Sequence, residues 1–587
     1  MKSGGKKKNH TASAKKLTPK SPHKYIFVIG GVMSGVGKGI ATSSIGTVLS
    51  AKGFIINLVK VDPYLNVDAG TMNPTEHGEV FVLNNGLETD QDMGNYERFL
   101  NRDASDYDYM TSGMVYRSVI EKERALKYGG KCVEAIPHIR DEIVHRFEHA
   151  AKANNSDISI VEIGGTVGDY QNAMFIEAAR YLKIKHPQDV TVIMVSYLPT
   201  PGTLGEMKTR PTQNAVHQLA SYGLNTEFII ARASTPLDER RKEKIAIACN
   251  LLKERVISAP DIKSIYDVPI NFEKDRLAEL LMEALVLSPR KTGPAFAEWK
   301  KMAKGIQNFV EHPVNIAIVG KYFNTGDFVL TDAYISVLEA IKFSGYAAKV
   351  KPIIHTVNSR DFEGKNPDYA TLDQYDGIIV PGGFGESGIE GKLNVIRYAR
   401  EKGIPYFGLC YGMQLMTIEY ARNVLGLVGA HTAEINPKAK HVIIDIMPDQ
   451  KKKIAEGNYG GSMRLGRYPA KLGKDTIAHE AYESAGWIKH GNITERHRHR
   501  YEVNPEYIKQ IEEAGLIFSG KSPDGTLMEI AELPRGEVQA GQENGSNQHP
   551  FFLGTQFHPE FLARPLAPHP LFTEFMKASK GRKNRRA

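Results

Sequence analysis

"YIFVIGGVMSGVGKGIATSSIGTVLSAKG", residues 25–53, reads as a strand, a glycine-rich turn and a helix in close succession. In this setting glycines let the backbone approach phosphate groups, while the amides and the helix N-terminus supply positive potential. Lys38 adds a point charge to that cradle. The usual pattern, G-x-x-x-x-G-K-[ST], fails at Val32 and at Gly39. The stretch therefore predicts a phosphate loop without its own hydroxyl for Mg²⁺, the alternative being a glycine-rich turn with no ligand.

Strand-like runs alternate with helical patterns downstream of this loop. They are "FIINLVKVD" (54–62), "DISIVEIGG" (157–165), "VTVIMVSYLP" (190–199) and "TEFIIAR" (226–232). Such alternation predicts a parallel sheet covered by helices. Residues 289–312 lack a strand pattern and predict a linker helix, after which "VNIAIVGKY" (314–322) restarts the alternation. We therefore predict an α/β protein with two doubly wound parallel-sheet domains.

The expected organisation follows from these shifts in pattern. It comprises a basic disordered tail over 1–24, a first domain over 25–288, a linker over 289–312, a second domain over 313–576 and a basic tail over 577–587. Within the second domain, residues 533–549 are rich in Gly, Asn and Gln and predict an inserted surface loop.

Composition excludes several classes of protein. Hydrophobic residues make up 41% and charged residues 24% of the chain, as in globular proteins. No apolar stretch approaches the roughly 18 residues that cross a bilayer, and the N-terminus lacks the apolar segment of a secretory signal. Three cysteines far apart in the sequence do not make a disulfide framework. We expect a reduced, cytoplasmic protein with no membrane partner.

Positive charge is concentrated at the two ends of the chain. Residues 1–24 hold eight lysines and residues 577–587 hold six lysines and arginines, with no acidic residue in either segment. Without these fourteen charges the net charge of +8 becomes −6. Such tails are typical of disordered, solvated segments, the sharper alternative being a localisation signal or a polyanion contact. We infer no nucleic-acid binding from them.

Two acidic residues follow strand-like runs near the predicted loop. They are Asp92 in "ETDQDMG" and Glu162 in "IVEIGGTVGD". Because Gly39 has no hydroxyl, Mg²⁺ would need hard oxygen ligands from elsewhere. Each carboxylate alone could equally cap a helix or face solvent, but together with the loop they predict a metal site.

A polar segment, "KTRPTQ" (208–213), concentrates Lys208, Arg210 and Gln213 in a loop. Lysine and arginine suit a polyphosphate, and glutamine can hydrogen-bond the edge of a base. The segment predicts a nucleotide contact, the alternative being a solvated loop.

The segment "IPYFGLCYGMQ" (404–414) places Cys410 between a strand-like run and a helical pattern. A buried cysteine is commonly just a small apolar residue. A strand-to-helix turn, however, exposes a nucleophile at a helix N-terminus, which favours the thiolate. "GTQFHPEF" supplies His558 as a base and Glu560 to orient it, because residues i and i+2 of a strand face the same way. Backbone amides of Gly383 and of the residue after Cys410 would form an oxyanion hole.

Two groups of motifs resemble known families. "GLCYGMQ", "PGGFG" and "QFHPE" resemble class I glutamine amidotransferases, which use a Cys-His-Glu triad. The first-domain motifs "YIFVIGGVMSGVGKGI", "VDPYLNVDAGTMNP", "HGEVFVL", "VEIGGTVGD" and "KTRPTQ", together with "RHRHRYEVN", closely resemble the CTP synthase family. This resemblance extends in order from about Tyr25 to Met576. It implies amination of UTP to CTP, in which ATP phosphorylates the uracil 4-oxygen and ammonia from glutamine displaces the phosphate.

The resemblance also implies which residues contact each ligand. For ATP they are Gly35, Val36, Gly37, Lys38, Gly39, Ile40, Asp92, Pro260, Asp261 and Ile262. For UTP or CTP they are Ser34, Asp169, Tyr170, Gln171, Lys208, Thr209, Arg210, Pro211, Thr212, Gln213 and Lys244. For glutamine they are Gly383, Tyr411, Gly412, Met413, Gln414, Glu434 and Arg500. Asp92 and Glu162 would bind Mg²⁺, and Cys410, His558 and Glu560 would form the triad.

Regulation and assembly are further implications of the family resemblance. It implies activation by GTP, feedback inhibition by CTP near Asp169–Gln171, and homodimers that become tetramers or filaments. Gln171 departs from the acidic residue of bacterial relatives, which puts the CTP contact there in question. Two alternatives remain from the motifs alone: another ATP-dependent glutamine amidoligase, such as one acting on cobyrinate, or an added structural assembly role.

Overall fold

The computed structural model describes residues 23–73, 77–202, 205–290, 295–308, 312–320, 332–364, 366–383, 386, 388–447, 450, 461–538 and 547–586. Residues 1–22 of the predicted N-terminal tail lie outside the described residues, and so does residue 587. The centre of the predicted 533–549 insertion, residues 539–546, also lies outside them.

The first domain is built on a seven-stranded sheet. Its strands are β1 (Lys24–Gly31), β2 (Ile56–Asp62), β5 (Tyr109–Thr111), β6 (Ile158–Ile163), β7 (Val190–Tyr197), β8 (Phe228–Ala233) and β9 (Val256–Pro260). They lie in the order β5-β2-β6-β1-β7-β8-β9 and every pair is parallel. A separate two-stranded hairpin joins β3 (Phe81–Val82) and β4 (Glu88–Thr89). Helices cover both faces of a parallel sheet, which is why these strands are nearly continuous apolar runs.

Nine described helices surround this sheet. They are α1 (Lys38–Ala51), α2 (Asp92–Leu100), α3 (Ser112–Arg124), α4 (Arg140–Ala153), α5 (Ala173–Lys185), α6 (Arg210–Ser221), α7 (Glu239–Ala248), α8 (Val268–Lys274) and α9 (Leu277–Ala284). Local sequence explains several boundaries. The Thr111 side chain accepts a hydrogen bond from the Met114 amide at the start of α3, and Asp238 does the same for Arg241 at the start of α7.

The segment between the domains contains a helix, α10 (Ala295–Asn308). Its Trp299 is fully buried and donates from Nε1 to the carbonyl of Tyr266 at 2.9 Å. The Trp299 ring also packs against Phe99, with ring centroids 5.1 Å apart. The helix therefore packs against the first domain and joins a hydrophobic cluster that continues into the second.

The second domain has a nine-stranded sheet that is only partly parallel. Its strands are β10 (Pro313–Gly320), β11 (Lys351–Asn358), β12 (Gly377–Val380), β13 (Tyr406–Leu409), β16 (Arg464–Leu472), β17 (Asn492–His499), β19 (Ile517–Lys521), β20 (Met528–Glu532) and β21 (Phe552–Thr555). Their order is β11-β10-β12-β13-β21-β20-β19-β16-β17. The first five are parallel, whereas every pair from β21 to β17 is antiparallel.

This mixed sheet corrects the prediction of a second wholly parallel domain, although the α/β architecture of two domains is confirmed. Only residues 522–527 separate β19 from β20, too few for the crossover that parallel neighbours need, so this pair is antiparallel. A further small sheet joins β14 (Ala430–Thr432), β15 (His441–Ile446) and β18 (Tyr501–Val503).

Six described helices accompany the second sheet. They are α11 (Ile335–Ala347), α12 (Ile389–Lys402), α13 (Tyr411–Asn423), α14 (Ile477–Ser484), α15 (Pro505–Glu513) and α16 (Pro570–Arg586). None of the helices in the described part of the chain has the length and hydropathy that a bilayer-crossing segment needs.

The basic C-terminal segment is helical, so the expectation of a disordered tail over 577–587 is wrong for residues 577–586. It continues α16, whose Phe572, Phe575 and Met576 are fully buried. Arg582 donates to the carbonyl of Tyr375 at 3.3 Å, and Arg586 pairs with Asp376 at 3.3 Å. Apolar anchoring upstream and these carbonyl and carboxylate partners hold a segment whose charge alone would favour solvation.

Candidate active sites

The predicted phosphate loop lies between β1 and α1. Gly35 and Gly37 have φ values of 69° and 87°, a region that glycine adopts without steric cost. Lys38 begins α1, and its ammonium donates to the carbonyl of Gly165 at 2.9 Å. A Cβ on Gly30 would lie 2.8 Å from the Lys38 nitrogen. The glycines therefore leave room for a lysine held at the carboxyl ends of two neighbouring strands, and burial lowers the pKa of Lys38.

The two predicted metal ligands meet at one buried lysine. The ammonium of Lys60 lies 2.5 Å from Oδ2 of Asp92 and 3.2 Å from Oε1 of Glu162. Gly39 explains the departure from the usual loop pattern, because a Cβ at this position would lie 2.1 Å from Oδ1 of Asp92. The carboxylate of Asp92 thus occupies space that a Ser or Thr side chain would need.

Further oxygen atoms surround the same lysine. Oδ1 of Asp62 and Oδ1 of Asp90 lie 3.6 and 3.9 Å from the Lys60 nitrogen. Burial raises the pKa of Asp92 to about 7, and Lys60 opposes that rise. Carboxylates are the hard oxygen donors that Mg²⁺ prefers, but within the described part of the chain no three of them are arranged as a set of metal ligands.

Sequence reasoning missed Lys60. The available signal is a lysine inside an otherwise apolar strand, "INLVKVD", where a buried charge requires partners. The prediction that Asp92 and Glu162 bind Mg²⁺ stays a prediction, now with a lysine between them.

A cavity with a volume of about 230 Å³ adjoins the loop. It brings Gly37 and Ile40 together with Pro260–Ile262, which are also among the residues predicted to contact ATP. Arg232, at the end of β8, also lines it and pairs with Asp261 at 2.7 Å. A Cβ on Gly37 would lie 2.6 Å from Arg232 Nη1, so this guanidinium contacts the phosphate loop. Sequence reasoning missed Arg232, whose signal is a lone arginine closing an apolar strand.

Part of the predicted UTP segment gathers around Glu206. Lys208 forms an ion pair with Glu206 at 2.6 Å. This hydrogen bond, with further attraction from Lys244 and Arg241, lowers the pKa of Glu206. Lys208 and Lys244 were predicted from distant parts of the chain, and Arg241 adds a third cation. Lys244 is exposed and Lys208 and Arg241 are half-buried, and together they form a basic cluster of the kind that a nucleoside triphosphate would require.

Other predicted UTP residues have structural partners. Thr212 is buried and shares a hydrogen bond with Ser196 at 2.8 Å. Gln213 donates to the hydroxyl of Thr209 at 3.2 Å, whereas Arg210 is exposed. The segment therefore has one buried face that anchors α6 and one exposed basic face.

Residues 169–171 likewise include one residue with a structural partner and two exposed residues. A carboxylate oxygen of Asp169 accepts from the amide of Thr166 at 2.7 Å, which stabilises the loop after β6. Tyr170 is 98% exposed and Gln171 is also exposed. Ser34 and Gly35 are exposed as well, so these residues are available to a ligand.

Cys410 lies in the sharp turn between β13 and α13. Its backbone has φ 50° and ψ −99°, a strained conformation for a residue with a side chain. The turn is held by a hydrogen bond from its amide to the carbonyl of Thr555 at 2.6 Å. Gly412 has no room for a side chain, because a Cβ would lie 2.1 Å from the carbonyl oxygen of Val380. This is the strand-to-helix turn predicted for a nucleophile, although Cys410 itself is buried.

His558 and Glu560 lie beside this turn because β21 is the neighbour of β13. The two strands are parallel and pair Leu409 with Thr555, so the residues that follow them emerge at the same edge. His558 Nδ1 lies 2.7 Å from Oε1 of Glu560. Strand alternation does not cause this contact, contrary to expectation: β21 ends at Thr555, and Glu560 lies in a 3-10 turn over Pro559–Leu562.

Cys410 and His558 flank one glycine. A Cβ on Gly382 would lie 3.1 Å from Cε1 of His558 and 3.8 Å from Cβ of Cys410. Burial alone would lower the pKa of His558, but Glu560 and then Cys410 outweigh it and raise the pKa to about 10. The protonated imidazole is therefore favoured at neutral pH.

The cavity at Cys410 is bounded by both domains. It has a volume of about 80 Å³ and is lined by Gly383 and His558 of the second domain and by Glu79 and Val80 of the first. The ring of Phe81, next in the chain, packs edge-on against Phe561 with centroids 5.1 Å apart. Sequence reasoning missed the contribution of the first domain to this site.

The predicted glutamine residues occupy two environments. Burial, with a further contribution from Glu434, raises the pKa of both Tyr411 and Tyr501, and Arg500 opposes the shift at Tyr501, so both charges act on the Tyr501 hydroxyl. Met413 is fully buried in the core, and Gln414 donates to the carbonyl of Tyr501 at 3.0 Å.

Both domains match known protein families. Residues 24–287 match the family model "CTP synthase N-terminus", and residues 329–578 match "Glutamine amidotransferase class-I". A CTP synthase of Halalkalibacterium halodurans is 46% identical over 557 residues, covering 95% of this chain and 99% of the relative. A CTP synthase of Pyrococcus abyssi is 46% identical over 562 residues, covering 95% of this chain and 98% of the relative. This chain belongs to the CTP synthase family.

A solved structure is also similar to part of this CTP synthase family member. The glutaminase domain of Trypanosoma brucei CTPS, with bound acivicin, is 37% identical and covers 45% of this chain and 93% of that chain, with a TM-score of 0.39. The match to the CTP synthase N-terminus separates the chain from the other glutamine amidoligases that its motifs alone permitted.

Proposed function

We propose that this protein makes CTP from UTP, consuming ATP and taking nitrogen from glutamine. The observation that carries the proposal is the cavity at Cys410, which is closed on one side by Glu79 and Val80 of the domain that holds the phosphate loop. Such a cavity would allow ammonia released at Cys410 to reach the first domain without crossing bulk solvent. Membership of the CTP synthase family supports the same reaction.

In the second domain, the Cys410 thiolate would attack the side-chain amide carbon of glutamine. The carbon–nitrogen bond breaks, and the His558 imidazolium donates a proton to the leaving amide to give ammonia. The amides of Gly383 and Tyr411 would stabilise the oxyanion. Water then hydrolyses the thioester to glutamate. Glu560 holds His558 in orientation throughout.

Glu434 and Arg500 would hold the amino-acid part of glutamine. Their opposite charges match its α-ammonium and α-carboxylate groups, and both lie near Tyr501 beside the Cys410 turn. Because Met413 and Gln414 bury their side chains, any contact of Tyr411–Gln414 with glutamine would come chiefly from the backbone.

In the first domain, Lys38 and the Gly35–Ile40 backbone would bind the phosphates of ATP, with adenine in the cavity at Pro260–Ile262. The basic cluster with Lys208 and Lys244 would hold UTP. Asp92 and Glu162 would hold Mg²⁺, which when bound neutralises phosphate charge. Phosphorylation of the uracil 4-oxygen creates a leaving group, and ammonia displaces it as phosphate.

Regulation and assembly form a finer part of the proposal. GTP activation, CTP inhibition at the exposed 169–171 segment, and nucleotide-promoted dimers, tetramers or filaments are supported by family membership alone. Cytoplasmic localisation and the domain boundaries drawn from the sequence likewise stay predictions.

A single assay tests the reaction. The purified chain is incubated with UTP, ATP, Mg²⁺ and glutamine, and CTP is separated by chromatography. We expect CTP, glutamate, ADP and phosphate in equal amounts. Glutamate formation without CTP under these conditions would overturn the proposed function while leaving a glutaminase.

The metal assignment predicts a change in Mg²⁺ dependence. Replacing Glu162 with Gln keeps the side-chain shape but removes one charge, and Asp92→Asn does the same. Mutating a residue that only hydrogen-bonds a metal ligand lowers metal affinity about 10- to 100-fold. Because these variants change the ligands themselves, we expect each to need at least about tenfold more Mg²⁺. The measurement is a Mg²⁺ titration of CTP formation at saturating UTP, ATP and ammonia.

The matched control for these variants is Glu177→Gln, which removes a carboxylate paired with Arg180 at 2.7 Å on the surface of α5. Its Mg²⁺ dependence should equal that of the wild type. All variants should retain glutamine hydrolysis at Cys410. Unchanged Mg²⁺ dependence in both Glu162→Gln and Asp92→Asn would show that these carboxylates are structural partners of Lys60.

The triad predicts a shift in the pH dependence of glutamine hydrolysis. Glu560 raises the pKa of His558, so Glu560→Gln should lower that pKa, and the imidazolium should lose its proton at lower pH. The alkaline limb of the rate profile should therefore move to lower pH. The rate itself should fall by up to about 10⁴-fold, the loss caused by removing the orienting carboxylate of a triad.

The pH profile of ammonia-dependent CTP formation in the same variant is the control, and it should not move. An alkaline limb that stays in place, or moves upward, would contradict the role of Glu560.

A further inference from the structure

Strand β17 presents different residue types to the two domains. Its sequence, "NITERHRH", places Arg496 and Arg498 on one face, because side chains alternate along a strand. His497 and His499 lie on the other face, within hydrogen-bond distance of each other at 2.9 Å. The arginine face meets the first domain, and the histidine face is buried in the second.

Each arginine on this face bonds to an acidic residue of the first domain. Nη2 of Arg496 lies 2.9 Å from Oε1 of Glu97, and Nε of Arg498 lies 2.8 Å from Oε1 of Glu88. Arg496, Glu97 and Glu88 are all at least 98% buried. Buried ion pairs of this kind depend strictly on their partners, because one charge left alone in the interior is costly.

The backbone of the same two arginines contacts the catalytic pair. The carbonyl of Arg496 accepts a hydrogen bond from the amide of His558 at 2.8 Å. Sγ of Cys410 lies 3.8 Å from the carbonyl oxygen of Arg498. The register of β17 therefore sets the positions of both the base and the nucleophile.

The acidic partners lie on elements of the phosphate site. Glu97 belongs to α2, the helix that begins at Asp92, and its neighbour Tyr96 donates to Glu162 at 2.5 Å. Glu88 packs against the loop after β2: a Cβ on Gly70 would lie 2.0 Å from its Oε2. Glu97 is thus connected to both predicted Mg²⁺ ligands through α2 and Tyr96, whereas Glu88 lies on β4, just before α2 in the chain.

We propose that Arg496 and Arg498 are positioning residues that couple the nucleotide site of the first domain to the alignment of Cys410 and His558. This inference rests on the proposed function. Nucleotides bound at α2 would act through Glu97 and Glu88 on β17, and β17 would act on the catalytic pair. Coupling of this kind is established by measuring how substitutions at the two sites affect each other, because proximity alone does not establish it.

The test compares variants of one ion pair with a neighbouring pair. Glu88→Gln and Arg498→Gln each break the pair while keeping polar side chains of similar size, and the double variant completes a cycle. The matched control is Arg467→Ala on β16, which breaks the partly exposed pair of Arg467 with Asp103, also between the domains. Glutamine hydrolysis is measured with and without ATP and UTP, and ammonia-dependent CTP formation is measured in the same samples.

We expect glutamine hydrolysis to fall about 10- to 100-fold in Glu88→Gln, the cost of slightly misplaced catalytic groups. Stimulation of hydrolysis by ATP and UTP should be lost. The double variant should be no worse than the single variants, and Arg467→Ala should stay within about twofold of the wild type, because exposed ion pairs contribute little. Ammonia-dependent synthesis should persist in every variant, which shows that the first domain is folded.

A second readout follows the nucleophile directly. The rate at which iodoacetamide alkylates Cys410 is followed by peptide mass spectrometry, with exposed Cys132 as the internal reference. The ratio of the two rates should fall in Glu88→Gln and not in Arg467→Ala.

Three results would each overturn the coupling. Glu88→Gln and Arg467→Ala could behave alike, or the two single substitutions could have additive effects in the double variant. The third is that ATP and UTP do not change glutamine hydrolysis by the wild type. A wild-type chain that makes no CTP at all would instead overturn the proposed function.

Discussion

Cys410→Ala is expected to abolish CTP formation from glutamine while ammonia-dependent formation continues. The substitution removes the sulfur proposed to attack the amide and leaves the first domain intact. The Gln556 side-chain amide, which donates to this sulfur at 3.7 Å, is not a nucleophile and cannot replace it. Removing a nucleophile from a triad costs about 10⁶-fold in rate in a comparable hydrolase.

Both nitrogen sources are measured at saturating UTP and ATP. Cys249→Ala is the matched control: Cys249 is buried in the core of the first domain, where burial raises its pKa to about 11. A thiol in that setting is a packing residue, so this variant should keep both activities. Equal loss of activity with glutamine and with ammonia in Cys410→Ala would contradict the model of two sites joined by a cavity.

Lys38→Ala is expected to remove CTP formation with either nitrogen source. The Lys38 ammonium lies between the loop and the Gly165 carbonyl, at the carboxyl ends of β1 and β6. A fixed cation at the transferring phosphate contributes about 10³-fold or more in rate, because positioning and charge account for most of phosphoryl-transfer catalysis. The loss should appear in the turnover rate and in ATP binding together.

The control is Lys52→Ala at the other end of the same helix. Lys52 pairs with Glu279 at 2.6 Å near the surface, a type of contact worth about 0–1 kcal/mol. Glutamine hydrolysis at Cys410 without nucleotides reports on folding in both variants. Ammonia-dependent CTP formation that survives in Lys38→Ala would show that the loop is not the ATP site.

Local sequence predicted the two turns that carry the chemistry. At both Lys38 and Cys410 a buried strand runs into a turn and then a helix, and this order is visible within about ten residues. Such turns depend on short-range constraints: glycines where φ is positive or where backbones approach closely, and apolar residues in the strand. The contact between His558 and Glu560 was also expected, although a 3-10 turn produces it.

Residues distant in sequence determined the remainder of both sites. Arg498 and Glu88 are separated by 410 positions, and Asp103 and Arg467 by 364, yet each pair meets at the domain boundary. The sequence pattern of a segment predicts which face of a helix or strand a residue lies on. It does not predict which distant residue packs against that face. Lys60, Arg232, Glu79 and Val80 were missed for the same reason.

From the sequence alone follow the α/β class, two domains, the phosphate loop, the cysteine turn and the CTP synthase resemblance, because each depends on neighbouring residues or on long continuous motifs. Only the tertiary structure decided that half of the second sheet is antiparallel, that the basic C-terminal segment is a packed helix, and that Lys60 lies between the two predicted metal ligands. These features depend on which buried charges and strand edges find partners across the chain. The free energy of the whole folded chain determines these pairings, because a buried polar or charged group without a partner is too costly to remain.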